Sequence, residues 1–219
     1  MARSLLYMRD TQLEMTDKVM MIAKQKARRN AGKRGFTLTE LLVVIAMIGI
    51  LSALAIASYR RLTSSAGTSE AVAMLQSIRA AEESYKAETL SYLGCSGCGG
   101  TGCAPGAGDL TKYYPQTTSI PSDRKWNFEN PNHPDFACWN MLHAQADGPV
   151  QFGYAVVMGT PADAPPATAL AIQPNWPAPQ DLWYVVQAAA DRDGDLKFAV
   201  VVGSNFTFSN GLAVENDDE

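Results

Sequence analysis

Cysteines are the residues of this sequence whose spacing could support the most specific chemistry. Four occur near the middle of the chain: Cys95, Cys98, Cys103 and Cys138. Thiolates at such positions can hold zinc, either as four cysteines or as three together with His133 or His143. The first two also have the Cys-x-x-Cys spacing of redox-active dithiols. Zinc binding, thiol redox chemistry and structural disulfides are therefore the three alternatives for this cluster.

The position of the cysteines favours two structural disulfides. All four follow a long apolar segment that would place them outside the cytoplasm, where disulfides form and persist. Four cysteines allow three pairings, and the spacing does not rank them. Every pairing links Cys138 to the glycine-rich segment that contains the other three.

An acidic cluster is a candidate calcium site. Asp191, Asp193 and Asp195 occupy alternate positions, as the first oxygen ligands of a calcium-binding loop do. Such a loop has glycine at its sixth position and glutamate at its twelfth, where this chain has Leu196 and Val202. A polar turn between two strands also explains the cluster. We therefore expect no cofactor except calcium at this turn.

Glu40 is the only charged residue in the apolar segment 36–59. As a helix, these residues would extend about 36 Å, enough to cross a hydrocarbon core of about 30 Å. A carboxylate in such a segment is costly and is a functional-site hypothesis by default. We expect Glu40 to lack a partner in the single subunit and to gain one on assembly.

The charge distribution predicts the orientation of this segment in a membrane. Residues 1–35 contain nine Lys/Arg and three Asp/Glu, a net charge of +6, whereas residues 36–219 contain nine Lys/Arg and nineteen Asp/Glu, a net charge of −10. A basic stretch before an apolar segment stays in the cytoplasm, so the remainder should lie outside. The acidic remainder offers no basic surface for nucleic acid.

Beyond the membrane segment, residues 60–93 are expected to continue the helix. An apolar stripe steps by three and four residues along Ala71, Met74, Ile78, Ala81 and Tyr85. The opposite, polar face contains Glu82 and Lys86, whose spacing allows a weak ion pair. Gly67 is a weak point in this helix, and Gly94 is expected to end it.

The rest of the chain predicts an antiparallel sheet after a loop region. Residues 94–149 are rich in Gly, Pro, Asn and Asp and are interpreted as a loop region that contains the cysteines. Residues 150–219 are expected to form the sheet, with strands at 151–158, 182–188 and 196–202 and a fourth at 167–172 or 206–208. A long helix packed on such a sheet is an α+β fold.

The stretch Lys33-Arg34-Gly35-Phe36-Thr37-Leu38-Thr39-Glu40-Leu41 resembles the prepilin motif of type IV pilins and type II secretion pseudopilins. The resemblance covers about residues 33–61. It implies that a membrane peptidase removes the leader, residues 1–35, by cutting between Gly35 and Phe36, and methylates the new amine of Phe36. Glu40 of one subunit would then pair with the Phe36 amine of a neighbour. Many type IV pilins have a proline at the position of Ala57, and this chain departs from them there.

The resemblance implies a structural subunit rather than an enzyme. The expected partners are copies of the chain, other pilin subunits, the prepilin peptidase and the inner-membrane assembly machinery. The expected location is the inner membrane, as a single-pass protein with its head outside, and later a surface pilus, for which twitching motility, cell adhesion and DNA uptake remain open roles. A type II secretion pseudopilin is the alternative. A membrane-tethered periplasmic metal or thiol-redox protein is a third reading, which needs bound zinc or free thiols.

Overall fold

The computed structural model describes residues 20–21, 35–117, 124–192, 194–206 and 212–215. Most of the leader and Asp193 lie outside these residues. From residue 35 onward, the described elements in chain order are α1 (Leu38–Thr89), α2 (Phe136–Leu142), β1 (Gly153–Gly159), β2 (Trp183–Ala190), β3 (Ala199–Ser204) and β4 (Leu212–Glu215). The architecture is α+β, as expected.

The chain divides into two compact units between Ala55 and Ile56. The first contains the apolar start of α1. The second, which we call the head, contains the remainder of α1, α2 and the four strands. The two units are described separately below.

Helix α1 ends at Thr89, four residues before the expected end at Leu93. Leu90 has a φ of 62°, a left-handed conformation that stops helix propagation. Its amide donates the last helical hydrogen bond, to the carbonyl of Lys86. Helices commonly use glycine at this position, so a leucine there gives no signal in the sequence.

The predicted apolar stripe of α1 faces the core of the head. Ala71, Met74 and Ile78 are buried, and Ala81 and Tyr85 are partly buried against the same cluster. The prediction for Glu82 is wrong, because its side chain is fully buried rather than solvated. Lys86 is hydrogen-bonded to the hydroxyl of Tyr92, so the expected Glu82–Lys86 ion pair does not form.

The sheet is an antiparallel meander in the order β1-β2-β3-β4. The first three strands confirm the expected ones with shifts of a few residues. The fourth is Leu212–Glu215, so the expectation for 167–172 is wrong. In that segment, the amides of Thr168 and Ala169 donate to glutamine side chains instead of a neighbouring strand. The other expected location, 206–208, is described only at Phe206, which is in a bend.

Both faces of the sheet are covered, so every residue of β1, β2 and β3 is buried. One face packs against α1 through side chains such as Tyr154, Val156 and Tyr184. The other packs beneath loop residues that include Leu110 and Leu170. Antiparallel sheets often leave one face to solvent, and this sheet does not.

The described parts of the loop region, residues 94–117 and 124–149, are folded around the edge of the sheet. The amides of Cys95 and Ser96 donate to the carbonyl of Val156, and Tyr114 exchanges backbone hydrogen bonds with Tyr154. Trp139 of α2 stacks on Tyr114, with 4.9 Å between ring centroids. These contacts make the region part of the core of the head.

Candidate assembly site

Residues Gly35 to Thr37 lead into helix α1, which begins at Leu38, and all residues from Gly35 to Glu40 are exposed. A Cβ atom added at Gly35 would meet nothing within 4 Å. The phenyl side chain of Phe36 is 82% exposed. The fold of the described residues therefore places no steric demand on the residue before Phe36.

Thr37 and Glu40 form a capping box at the helix start. The backbone amide and hydroxyl of Thr37 donate to Oε2 of Glu40 at 3.0 Å and 2.9 Å. In return, the backbone amide of Glu40 donates to the Thr37 hydroxyl at 3.2 Å. These bonds satisfy amides that the first turn of a helix otherwise leaves without partners.

The expectation that Glu40 has no partner in the single subunit is therefore wrong. The sequence contained the signal, because Thr37-x-x-Glu40 before an apolar run is the spacing of a capping box. Both hydrogen bonds end on Oε2, and Oε1 accepts none from the described residues. One carboxylate oxygen remains available to a cation from outside the subunit.

The apolar half of α1 that follows Glu40 is exposed throughout. Leu38–Ile56 is long and apolar enough to cross a membrane by length and composition, the sole such helix among the residues described, and no part of it is buried. Exposed aliphatic side chains are unfavourable in water, so this surface requires lipid or other protein chains.

Comparison with known proteins places the same segment in a recognised motif. Residues 30–56 match the family described as the prokaryotic N-terminal methylation motif. The type IV major pilin protein PilA of Myxococcus xanthus (strain DK1622) is 39% identical over 66 residues, 30% of this chain and 30% of that pilin. The type IV major pilin protein PilE1 of Neisseria gonorrhoeae is 41% identical over 56 residues, 26% of this chain and 34% of that pilin. The N-terminal segment of the chain is thus similar to that of type IV pilins.

The similarity is confined to the N-terminal region and spans about a third of the length of these pilins. No solved structure matches the chain. The matched relatives are named as pilins, which agrees with the expectation of a structural subunit rather than an enzyme. The head must therefore be interpreted from its own contacts.

All four cysteines of the chain are paired. One disulfide joins Cys95 to Cys138 across 43 residues, and the other joins Cys98 to Cys103 across five. The structure thus contains neither a four-thiolate zinc site nor a dithiol between Cys95 and Cys98. His133, one of the candidate zinc ligands, instead accepts a hydrogen bond from the amide of Asp135 through Nδ1. These disulfides suit a head outside the cytoplasm.

The acidic cluster forms the turn between β2 and β3, as the simpler of the two interpretations expected. The carboxylate of Asp191 accepts the amides of Gly194 and Leu196, and Asp195 pairs with Lys197 at 2.8 Å. Asp193 lies outside the described residues. Among the described residues, no three His, Cys, Asp or Glu side chains are grouped to hold a metal ion. Calcium at this turn stays a prediction.

Arg192 of the same turn contacts helix α1 at Gly67. A guanidinium nitrogen of Arg192 donates to the carbonyl of Thr63 at 2.7 Å. A Cβ atom on Gly67 would lie 2.6 Å from the guanidinium carbon. Gly67 therefore provides the space for this contact and is more than a weak point in the helix.

Glu82 is a buried acidic residue that the sequence did not reveal. Its Oε2 accepts the amide of Leu93 at 2.9 Å, and the buried Oε1 has no partner among the described residues. Burial raises the pKa of this carboxyl to about 8, while the Leu93 amide opposes the rise and the charge of Glu83 adds to it. The periodicity places Glu82 beside Ala81, and only the tertiary packing decides that it is buried.

Residues 205–207, Asn-Phe-Thr, match a glycosylation sequon. The side chain of the asparagine forms hydrogen bonds within the head. The side-chain amide of Asn205 donates to the Tyr92 hydroxyl and to the carbonyl of Leu182. Its side-chain oxygen accepts the amide of Tyr184. A glycan on this nitrogen would compete with these hydrogen bonds, which connect the end of β3 to the segment after α1.

Proposed function

We propose that the chain is a structural subunit of a type IV pilus filament. It is inserted in the inner membrane through Leu38–Ile56, cut between Gly35 and Phe36, and assembled with its copies through the N-terminal half of α1. The prepilin peptidase and the inner-membrane assembly machinery are its processing and assembly partners.

The observation that carries this proposal is the exposure of the apolar half of α1. Every side chain from Phe36 to Ile56 is exposed, and Glu40 is the only charged residue among them. Lipid satisfies such a surface before assembly, and neighbouring helices satisfy it in a filament core. The basic leader supports a cytoplasmic N-terminus, and the two disulfides support a head outside the cytoplasm.

Glu40 provides a chemical role for cleavage. Cutting before Phe36 creates an amine, a new cation at the membrane end of the subunit. Oε2 of Glu40 remains bound to Thr37, while Oε1 can accept the amine of a neighbouring subunit. Such a pair compensates part of the cost of burying both charges and specifies the register between subunits.

The proposal is tested by following processing and surface release together. Intact-mass measurement of membrane protein should show a chain that begins at Phe36, and Gly35→Ala should leave the leader attached, because the peptidase requires glycine there. Since Gly35 is sterically unconstrained in the described residues, this variant leaves the fold unchanged.

Shearing of the cell surface separates a pilus from a secretion pseudopilus. A pilus subunit is released and found by mass spectrometry in the sheared fraction, whereas a pseudopilin stays with the cells. Mature protein retained quantitatively by the cells would contradict the pilus and favour the pseudopilin. A mature N-terminus other than Phe36 would contradict the processing site for both.

A further inference from the structure

The two disulfides of the head differ sharply in accessibility. Cys95 and Cys138 are each 1% exposed and belong to the main core cluster. Cys98 is exposed and Cys103 is partly exposed, on the glycine-rich loop. Thiol–disulfide exchange requires in-line approach of a thiolate to one sulfur, so accessibility controls which of the two bonds reacts.

The loop that carries Cys98 and Cys103 is fixed by contacts other than its disulfide. Both carboxylate oxygens of Asp135 accept amides of this loop, from Gly97 at 3.1 Å and from Gly99 at 2.8 Å. Cys103 itself donates its amide to the carbonyl of Gly94 at 2.8 Å. Opening the Cys98–Cys103 bond therefore leaves these anchors in place.

Hydrogen-bond acceptors for the reduced thiols are already present. The Cys103 sulfur lies 3.4 Å from the carbonyl oxygen of Ser96, and the Cys98 sulfur lies 3.7 Å from that of Ala107. In the disulfide these sulfurs carry no hydrogen. After reduction, each S–H group can donate to a carbonyl without movement of the backbone.

We propose that Cys98–Cys103 is a site of reversible thiol–disulfide exchange with a dithiol protein outside the cytoplasm, and that Cys95–Cys138 remains oxidised throughout. The head thus contains one structural disulfide and one that a redox partner can open and close. The exchange is independent of filament assembly and requires only a folded head.

The exchange proceeds in two balanced steps. A thiolate of the partner attacks the sulfur of Cys98, the more exposed of the two, and the bond to Cys103 breaks. The Cys103 thiolate that leaves takes a proton from water. The second thiolate of the partner then attacks the sulfur of the partner's first cysteine in the mixed disulfide. Cys98 is released as a thiolate. Two electrons pass from the dithiol to the head, and the partner ends as a disulfide.

The first test is a dithiothreitol titration of the full-length protein in detergent. Free thiols are blocked with one maleimide, and the remaining cysteines are labelled with a heavier one after complete reduction. Trypsin separates Cys138 from the other three cysteines, because Lys112, Arg124 and Lys125 lie between them. The peptide with Cys138 thus reports the buried bond alone.

We expect Cys98 and Cys103 to be reduced at a dithiothreitol concentration at least about tenfold lower than Cys138 requires. The head should remain folded when only the first pair is reduced, because the other contacts of the loop persist. Release of Cys138 at the same concentration, or unfolding of the head on reduction of the first pair, would overturn the proposal.

The second test traps the partner reaction. A thioredoxin-type protein whose resolving cysteine is replaced by serine is incubated with the oxidised chain. A mixed disulfide on Cys98 is expected, and the matched Cys98→Ser, Cys103→Ser double variant should fold normally and form none. No adduct with the native chain, or an equal adduct with the double variant, would contradict exchange at this bond.

Discussion

The two halves of helix α1 share one backbone conformation and place their side chains in opposite environments. From Leu38 to Ile56 the apolar side chains are exposed, whereas Ala71, Leu75 and Ile78 in the other half are fully buried. Each half contains an unusual glutamate. Glu40 is exposed and bound by Thr37, and Glu82 is buried with a single hydrogen bond. The same residue type therefore serves as a helix cap in one half and as a desolvated acid in the other.

The largest expected effect is the loss of assembly when the charge of Glu40 is removed. In a strain without the native subunit, Glu40→Val should insert and be cleaved normally. The sheared fraction should then contain at least about tenfold less protein than with the native chain. The neighbour's amine would then be buried without a partner. Cleaved protein in membranes is compared with protein in sheared filaments.

Two further variants separate the charge of Glu40 from its cap. Glu40→Gln retains an acceptor for Thr37 but has no charge, and it should assemble as poorly as the valine variant. Thr37→Val removes the cap and leaves the charge, and it should assemble better than either. Normal filaments from Glu40→Gln would show that the capping box, and not the amine pair, is what assembly requires.

A matched pair of leucine truncations tests the burial difference between the halves. Leu75→Ala should lower the free energy of unfolding of the head by about 2–5 kcal/mol, because it leaves a cavity in the core. Leu51→Ala, at an exposed position of the other half, should change it by less than about 0.5 kcal/mol. Denaturant unfolding followed by tryptophan fluorescence measures only the head, since all four tryptophans lie there. Equal effects would contradict the burial pattern.

Glu82 should give the head an unusual pH dependence. The pKa of Glu82 is raised to about 8 in the folded state, against 4.5 for the solvent-exposed group in the unfolded chain, so unfolding releases a proton between these pH values. The stability from the protonated carboxyl is complete below about pH 4.5 and is lost as pH rises through 8. We expect a fall of roughly 2–4 kcal/mol between pH 5 and pH 8.

The matched variants are Glu82→Gln and Glu88→Gln. The glutamine at 82 still accepts the Leu93 amide but does not titrate, so it should flatten the dependence. The exposed Glu88 lies on the same helix, and its substitution should leave the dependence as it is in the native chain. Native stability that is constant or rising from pH 5 to 8 would contradict a protonated Glu82.

The smallest expected effect concerns Gly67. Alanine favours a helix over glycine by about 1 kcal/mol, but here its Cβ would collide with Arg192. Gly67→Ala should therefore be neutral or slightly destabilising in the native chain. In an Arg192→Ala background the same change should stabilise the head by about 1 kcal/mol. A double-mutant cycle measures the difference, and additive effects would exclude the contact.

Periodicity and motif spacing were enough to predict the apolar half of α1 and the class of the fold. The apolar run, the stripe along Ala71 and Ile78, and three strands follow from local patterns. The helix end at Leu90 was missed because a leucine adopts the conformation usually given to glycine. The fourth strand was missed because Gln173 and Gln187 capture the amides of the expected segment.

The candidate site shows the same division between local and tertiary information. The capping of Glu40 is encoded locally, as Thr37-x-x-Glu40. The expectation of an unpaired charge did not include this signal. The burial of Glu82 and the pairing of Cys95 with Cys138 depend on contacts between segments far apart in the chain. No local pattern contains those contacts, so only the folded head reveals them.

A sheet without a solvent-facing side concentrates the constraints on sequence change. Substitution on either face of β1, β2 or β3 disturbs a core, so these strands should tolerate little variation in a mutational scan. Many exposed residues of the head lie instead in its connections, such as 160–181 between β1 and β2. The sequence of these connections can therefore change while the sheet stays the same.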